Sequence, residues 1–99
     1  MGKYVYIYYA GAGSDGGNAE EWGAWFGKLG DKLVDGGNPF NDGGQAVHAG
    51  GVMPVKDKPA TGYSIVTANS MDEATELAKG CPLMSAKDGA VCVYEALAM

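Results

Sequence analysis

Ninety-nine residues, 46% hydrophobic and with ten aromatic side chains, describe one folded domain, residues 1–99, and exclude an intrinsically disordered chain. The formal charge is −5, with seven lysines and no arginine, which excludes a basic nucleic-acid footprint and a guanidinium clamp for phosphate or carboxylate. Neither a signal-peptide core nor a membrane-length apolar run is present, so the reading is a soluble, cytoplasmic protein with no membrane partner.

Lys3–Tyr9 alternates as a strand, with Tyr4, Tyr6 and Tyr8 on one face and Val5, Ile7 and Tyr9 on the other. Val5 and Ile7 suit packing against helices, and the tyrosine row suits a partly wet interface or a pocket wall. Ala10–Gly17 is a glycine-rich loop. Its Gly11, Gly13 and Gly16 have G-x-G-x-x-G spacing after a strand. Dinucleotide binding is set aside because the helix starts after the third glycine. The chain is also short for a dinucleotide domain, and no carboxylate ends a second parallel strand.

Asn18 and Glu21 form an N-cap pair that opens a helix over Ala19–Val34. Trp22, Trp25, Phe26, Leu29 and Leu33 fall on one apolar stripe. Gly23, Gly27 and Gly30 each weaken this helix by about 0.5–1 kcal/mol relative to alanine, so packing of the stripe must hold it. Asp35–Gly37 closes it and Asn38–Gly44 is a turn region. Gln45–Ala49 is the second strand, and Gly50–Ala60 is a long loop with a short strand at Val52–Val55.

Tyr63–Ala68 is the third strand, with Tyr63, Ile65 and Thr67 on one face and Ser64, Val66 and Ala68 on the other. Ser70 and Glu73 have capping-box spacing, with the Glu73 carboxylate expected to reach back to the Ser70 N–H. The helix that follows places Met71, Ala74, Leu77 and Ala78 on one stripe. Gly80 is read as its left-handed stop and Pro82 as a bar to continuation. After a turn over Pro82–Asp88, Gly89–Leu97 is the last strand, with Val91 and Val93 toward the helices and Cys92 and Tyr94 on the other side. The order β-α-β-β-α-β is the split-βαβ plan, an α+β fold. Two helices can cover one face of its four-stranded antiparallel sheet. The other face, read as Tyr4, Tyr6, Tyr8, Cys92 and Tyr94, is too apolar to stand open and calls for a second copy, a homodimer.

The Gly-Tyr strand, the Ser-Met-Asp-Glu-Ala and Glu-Leu-Ala-Lys runs and the Gly-Cys-Pro that closes them, over Gly62–Pro82, resemble the second half of the YCII-related (DGPF) family. The likeness extends loosely to Lys3–Tyr8 and Gly89–Glu95. It implies a ferredoxin-like βαββαβ subunit that pairs into a dimeric α/β barrel. The tetrapeptide Asp-Gly-Pro-Phe is absent. Met53-Pro54-Val55 with Asp57 is its loose counterpart.

His48 is the only histidine, hence the only side chain whose ordinary pKa lies near neutrality. As a general acid or base it would pair with Asp42 or Asp57, and the alternative is a half-exposed strand-end histidine. Tyr6, Tyr8, Trp22 and Tyr63 are candidate walls for a small polar or aromatic ligand, against the ordinary reading of core aromatics. One histidine and two distant cysteines give no metal spacing, and no cofactor is expected. Cys81 and Cys92 read as free thiols. Two function classes follow: a small-molecule-binding or non-catalytic dimeric module, and an isomerase-, lyase- or dehydrochlorinase-type enzyme using His48.

Overall fold

A computed structural model describes residues 2–10, 18–41, 43–55, 59–85 and 88–98. Its elements are β1 (Gly2–Tyr9), α1 (Ala19–Leu29), β2 (Leu33–Asp35), β3 (Gln45–His48), β4 (Gly51–Pro54), β5 (Gly62–Ala68), α2 (Met71–Ala78) and β6 (Ala90–Ala96), with 3-10 turns at Gly30–Lys32 and Pro82–Ser85. Four strands form an antiparallel sheet in the order β2-β5-β1-β6, while β3 and β4 make a separate hairpin. Both helices contribute to one core on a single face of that sheet. This α+β arrangement is compatible with the ferredoxin-like plan.

The second strand of the sheet is β2, not Gln45–His48. The expected helix over Ala19–Val34 stops at Leu29 because Gly30 takes φ +55°, a left-handed conformation in which the α-helix cannot continue. Leu33 still reaches the core, but from a strand, opposite Val66 on β5. The N-caps form as the spacing predicts: Asn18 Oδ1 accepts from Glu21 N at 2.8 Å and Ser70 Oγ from Glu73 N at 3.1 Å. The Glu73 carboxylate, however, accepts from the Asn69 N–H at 3.2 Å, one residue earlier than expected.

Gly80 is not a left-handed stop. Among the described glycines, positive φ occurs at Gly30, Gly37, Gly43 and Gly51. The end of α2 tightens instead, with Lys79 N bonded to Glu76 O and Gly80 N to Leu77 O, at 3.2 and 3.3 Å. Gly80 is there for space: a Cβ would lie 3.1 Å from Trp25 Cδ1. The Trp25 indole N–H in turn donates to Leu77 O at 3.1 Å, tying α1 to the end of α2.

The faces of β1 are the reverse of the expected ones. Tyr4, Tyr6 and Tyr8 are buried under the helices, and Tyr6 is fully so. The reason lies in what α2 presents. Ala74 and Ala78 are its buried residues, and such short side chains leave a depth that valine would not fill and a tyrosine ring does. The Tyr6 ring stacks on Trp25 with centroids 5.9 Å apart, and its hydroxyl donates to Ala74 O at 2.6 Å. The phenol therefore has no need of water.

Val91 and Val93 lie opposite Tyr8 and Tyr6 and share the helix side, as expected. Val5 and Ile7 lie opposite Tyr94 and Cys92 on one flank, and opposite Ile65 and Tyr63 on the other. The open face is thus Val5, Ile7, Tyr9, Tyr63, Ile65, Cys92 and Tyr94. Tyr4, Tyr6 and Tyr8 are excluded from any interface built on it. Cys81 and Cys92 are both free, Cys81 buried and Cys92 half-buried.

Candidate functional site

A cleft of about 590 Å³ opens where β1 ends and β5 begins. Its walls are the first turns of α1, through Ala19, Trp22 and Phe26, and the segment Gly36–Pro39. Tyr8, Thr61, Tyr63 and Leu83 complete the lining. The α1 wall follows directly from the apolar stripe of that helix. Trp22 stands edge-on to Tyr8, with centroids 4.9 Å apart, and packs against Phe26 at 5.8 Å.

The opposite wall is held by backbone. Asp35 Oδ1 accepts from Gly37 N at 2.8 Å, an Asx turn that brings the chain round. Gly37 has φ +74°, and a Cβ there would collide with the Tyr63 carbonyl, so only glycine fits. Ser64 Oγ donates to Gly36 O at 2.7 Å, Pro39 bridges to Gly62, and Phe40 N donates to Thr61 O at 2.9 Å. Thr61 then ties to β1, donating to Tyr8 O from both its N–H, at 2.7 Å, and its hydroxyl, at 3.1 Å. Phe40 stacks on Tyr63 with centroids 5.8 Å apart.

Among the described residues no lining side chain is charged. Tyr8 and Tyr63 are the titratable groups among them. Burial pushes the Tyr8 phenol well above its ordinary range, offset in part by the nearby Ser64 hydroxyl. The Tyr8 hydroxyl completes no hydrogen bond among the described residues. Ser64 lies beside it, but its own hydrogen is committed to Gly36 O.

Of the residues singled out from sequence, Tyr8, Trp22 and Tyr63 meet in this cleft, while Tyr6 is sealed in the core and does not line it. His48 is elsewhere, exposed at the end of β3. Asp42, Asp57 and the glycine-rich loop at 11–17 lie outside the described residues. Among the described residues no three His, Cys, Asp or Glu side chains come together as a metal site, and no helix is long and apolar enough to cross a membrane. Sequence reasoning missed Phe26, Gly37, Pro39, Thr61 and Leu83 as lining. The usable signal was Asp35-Gly36-Gly37-Asn38-Pro39, a turn run longer than a helix stop needs.

Comparison with protein-family models, with curated proteins and with solved structures gives no match to this chain.

Proposed function

We propose that the chain is a non-catalytic, YCII-like module that binds a small, neutral, flat molecule in the cleft lined by Trp22, Phe26 and the Gly36–Pro39 segment. In this reading it works as a homodimer of ferredoxin-like subunits whose open sheet faces meet in an α/β barrel. The observation that carries the ligand reading is a cleft of about 590 Å³ walled by aromatic rings and backbone, with no charged side chain among the described residues that line it. That volume is in the range of small-molecule sites. Among the described residues no charged side chain lines the cleft, and burying an unpaired charge there is costly. The Trp22 ring suits an aromatic guest, and the Asn38 side chain supplies a polar contact at the wall. The Tyr8 phenol, pushed far from neutrality, is a poor proton carrier at physiological pH. The resemblance over Gly62–Pro82 supports the dimer, as does the open apolar face of Val5, Ile7, Ile65, Cys92 and Tyr94.

Benzamide and benzoate, alike in shape and different in charge, test the ligand reading. Benzamide should quench or shift the Trp22 emission, and benzoate should bind at least 10-fold more weakly. Trp22→Ala should weaken benzamide binding at least 10-fold by calorimetry, and should also lower the denaturation midpoint, because the ring packs on Tyr8, Trp25 and Phe26. Equal binding of the two probes would remove the neutral-ligand reading. Light scattering after size exclusion tests the dimer, with an expected mass twice that of the 10.2 kDa chain at micromolar concentration.

A further inference from the structure

We infer that the β3–β4 hairpin is an intersubunit arm that seats on a second copy of this chain. The inference rests on the homodimer reading and adds the element that would complete its interface. The hairpin pairs Gln45–His48 with Gly51–Pro54 and, among the described residues, belongs to no larger sheet. A free two-stranded hairpin is marginal in water, and this one hides little of itself. Val47 is 77% exposed, Val52 58% and Met53 52%. Val47 and Val52 face each other on one side, and Met53 lies opposite Ala46 on the other, so apolar groups look outward on both sides.

The arm leaves from the sheet edge. Its base is fixed by the Pro39–Gly62 bridge and by Val55 N donating to Gly44 O at 2.9 Å. Four-residue strands carry its tip about 13 Å beyond that base. The radius of gyration is 14.2 Å, against about 13 Å for a compact chain of this length.

Charge and area select the occupant. Each copy carries −5, so two copies repel wherever their carboxylates approach. From Gly43 to Val55 there is no Asp, Glu or Lys. The open sheet face formed by Val5, Ile7, Tyr9, Ile65, Cys92 and Tyr94 is equally free of charge, with Lys3 and Asp35 at its margins. On both surfaces a second copy can land without bringing acid against acid. The sheet face alone is small, and most of its side chains are already half-buried by their neighbours. A standard interface takes about 20–30 residues a side. The hairpin, exposed almost throughout, supplies the missing contact, and a two-fold axis supplies it twice.

The double variant Val47→Lys with Val52→Glu tests this. The opposed charges keep the cross-strand pair favourable, so the hairpin itself survives, but its apolar surface is gone. The wild-type chain should be dimeric at micromolar concentration. The variant should dissociate at least 30-fold more readily, with unchanged far-ultraviolet circular dichroism. Amides of Val47 and Val52 should exchange slowly in the dimer and fast on dilution to monomer. A monomeric wild type would bring down the dimer and the arm together. A dimer of undiminished affinity in the variant would remove the arm alone. Slow exchange that persists on dilution would mean that the chain's own residues cover the hairpin, and would overturn the inference.

Discussion

On β1, Tyr4, Tyr6 and Tyr8 lie under the helices, whereas Val5, Ile7 and Tyr9 of the same strand face away from them. Polarity alone would reverse this, putting hydroxyls toward water and hydrocarbon inside. What decides it is the shape of the covering layer and the supply of acceptors. The short Ala74 and Ala78 of α2 leave depth for rings, and the Ala74 carbonyl takes the Tyr6 proton. A buried phenol with a partner gains the packing of a large aromatic and avoids the cost of an unmet donor. The open face has no helix above it among the described residues; on β1 it carries Val5 and Ile7, with Tyr9 at the end of the strand.

The sharpest way to break this comparison is truncation on each side. Tyr6→Ala should cost roughly 3–5 kcal/mol, as for other large aromatic-to-alanine changes in cores. Ile7→Ala, measured in dilute monomer, should cost less than about 2 kcal/mol because its side chain is only half-buried. Urea denaturation of both variants checks the difference, and equal losses would remove the asymmetry.

Alkaline titration sharpens it next. Burial, and secondarily Cys81 nearby, pushes the Tyr6 phenol from 10.0 to about 12, and burial pushes the Cys81 thiol from 9.0 to about 11. The unfolded chain gives up these protons first, so the folded state holds more protons in that window and stability falls as pH rises. The melting temperature should be level below pH 9 and decline between pH 9 and 12. Tyr6→Phe should be less stable at pH 7 by about 1 kcal/mol, from the lost hydrogen bond to Ala74 O, yet lose less on going to alkaline pH. A parallel decline in the two proteins would take Tyr6 out of the explanation.

The smallest effect belongs to the rim of the helix side. Lys32 Nζ lies 3.8 Å from Glu73 Oε1, with both side chains partly exposed. Lys32→Ala should change the unfolding free energy by no more than about 1 kcal/mol, less still in high salt. A larger loss in the same urea series would mark that pair as structural.

Periodicity made the elements legible and left their assembly open. Alternation sorts β1 into two rows but carries no label for inside, and tyrosine is the residue for which the guess is hardest. The stripe from Trp22 to Leu29 is real, and Leu33 fits its phase, which hid the fact that Gly30 ends the helix and makes Leu33 a strand residue. Gln45–His48 is a strand as its composition suggests, yet its partner is β4, since pairing depends on residues far from the window being read. For the cleft, the aromatic members Tyr8, Trp22 and Tyr63 were visible as residue types. The Gly36–Pro39 wall was not, because it is placed by bonds to Gly62 and Ser64 that only the fold brings near.

The position of β1 at the centre of the sheet also sets a timetable. Lys3 pairs with Thr67 on one side and with Ala96 on the other, so nearly the whole chain must be in hand before this strand has both neighbours. Contacts so distant along the sequence make for slow folding. During synthesis the run Lys3-Tyr4-Val5-Tyr6-Ile7 waits, sticky and unpaired, for partners that emerge last. Circular permutation that began the chain at β5 would let this strand emerge just after both its neighbours, β5 and β6, and so shorten that wait.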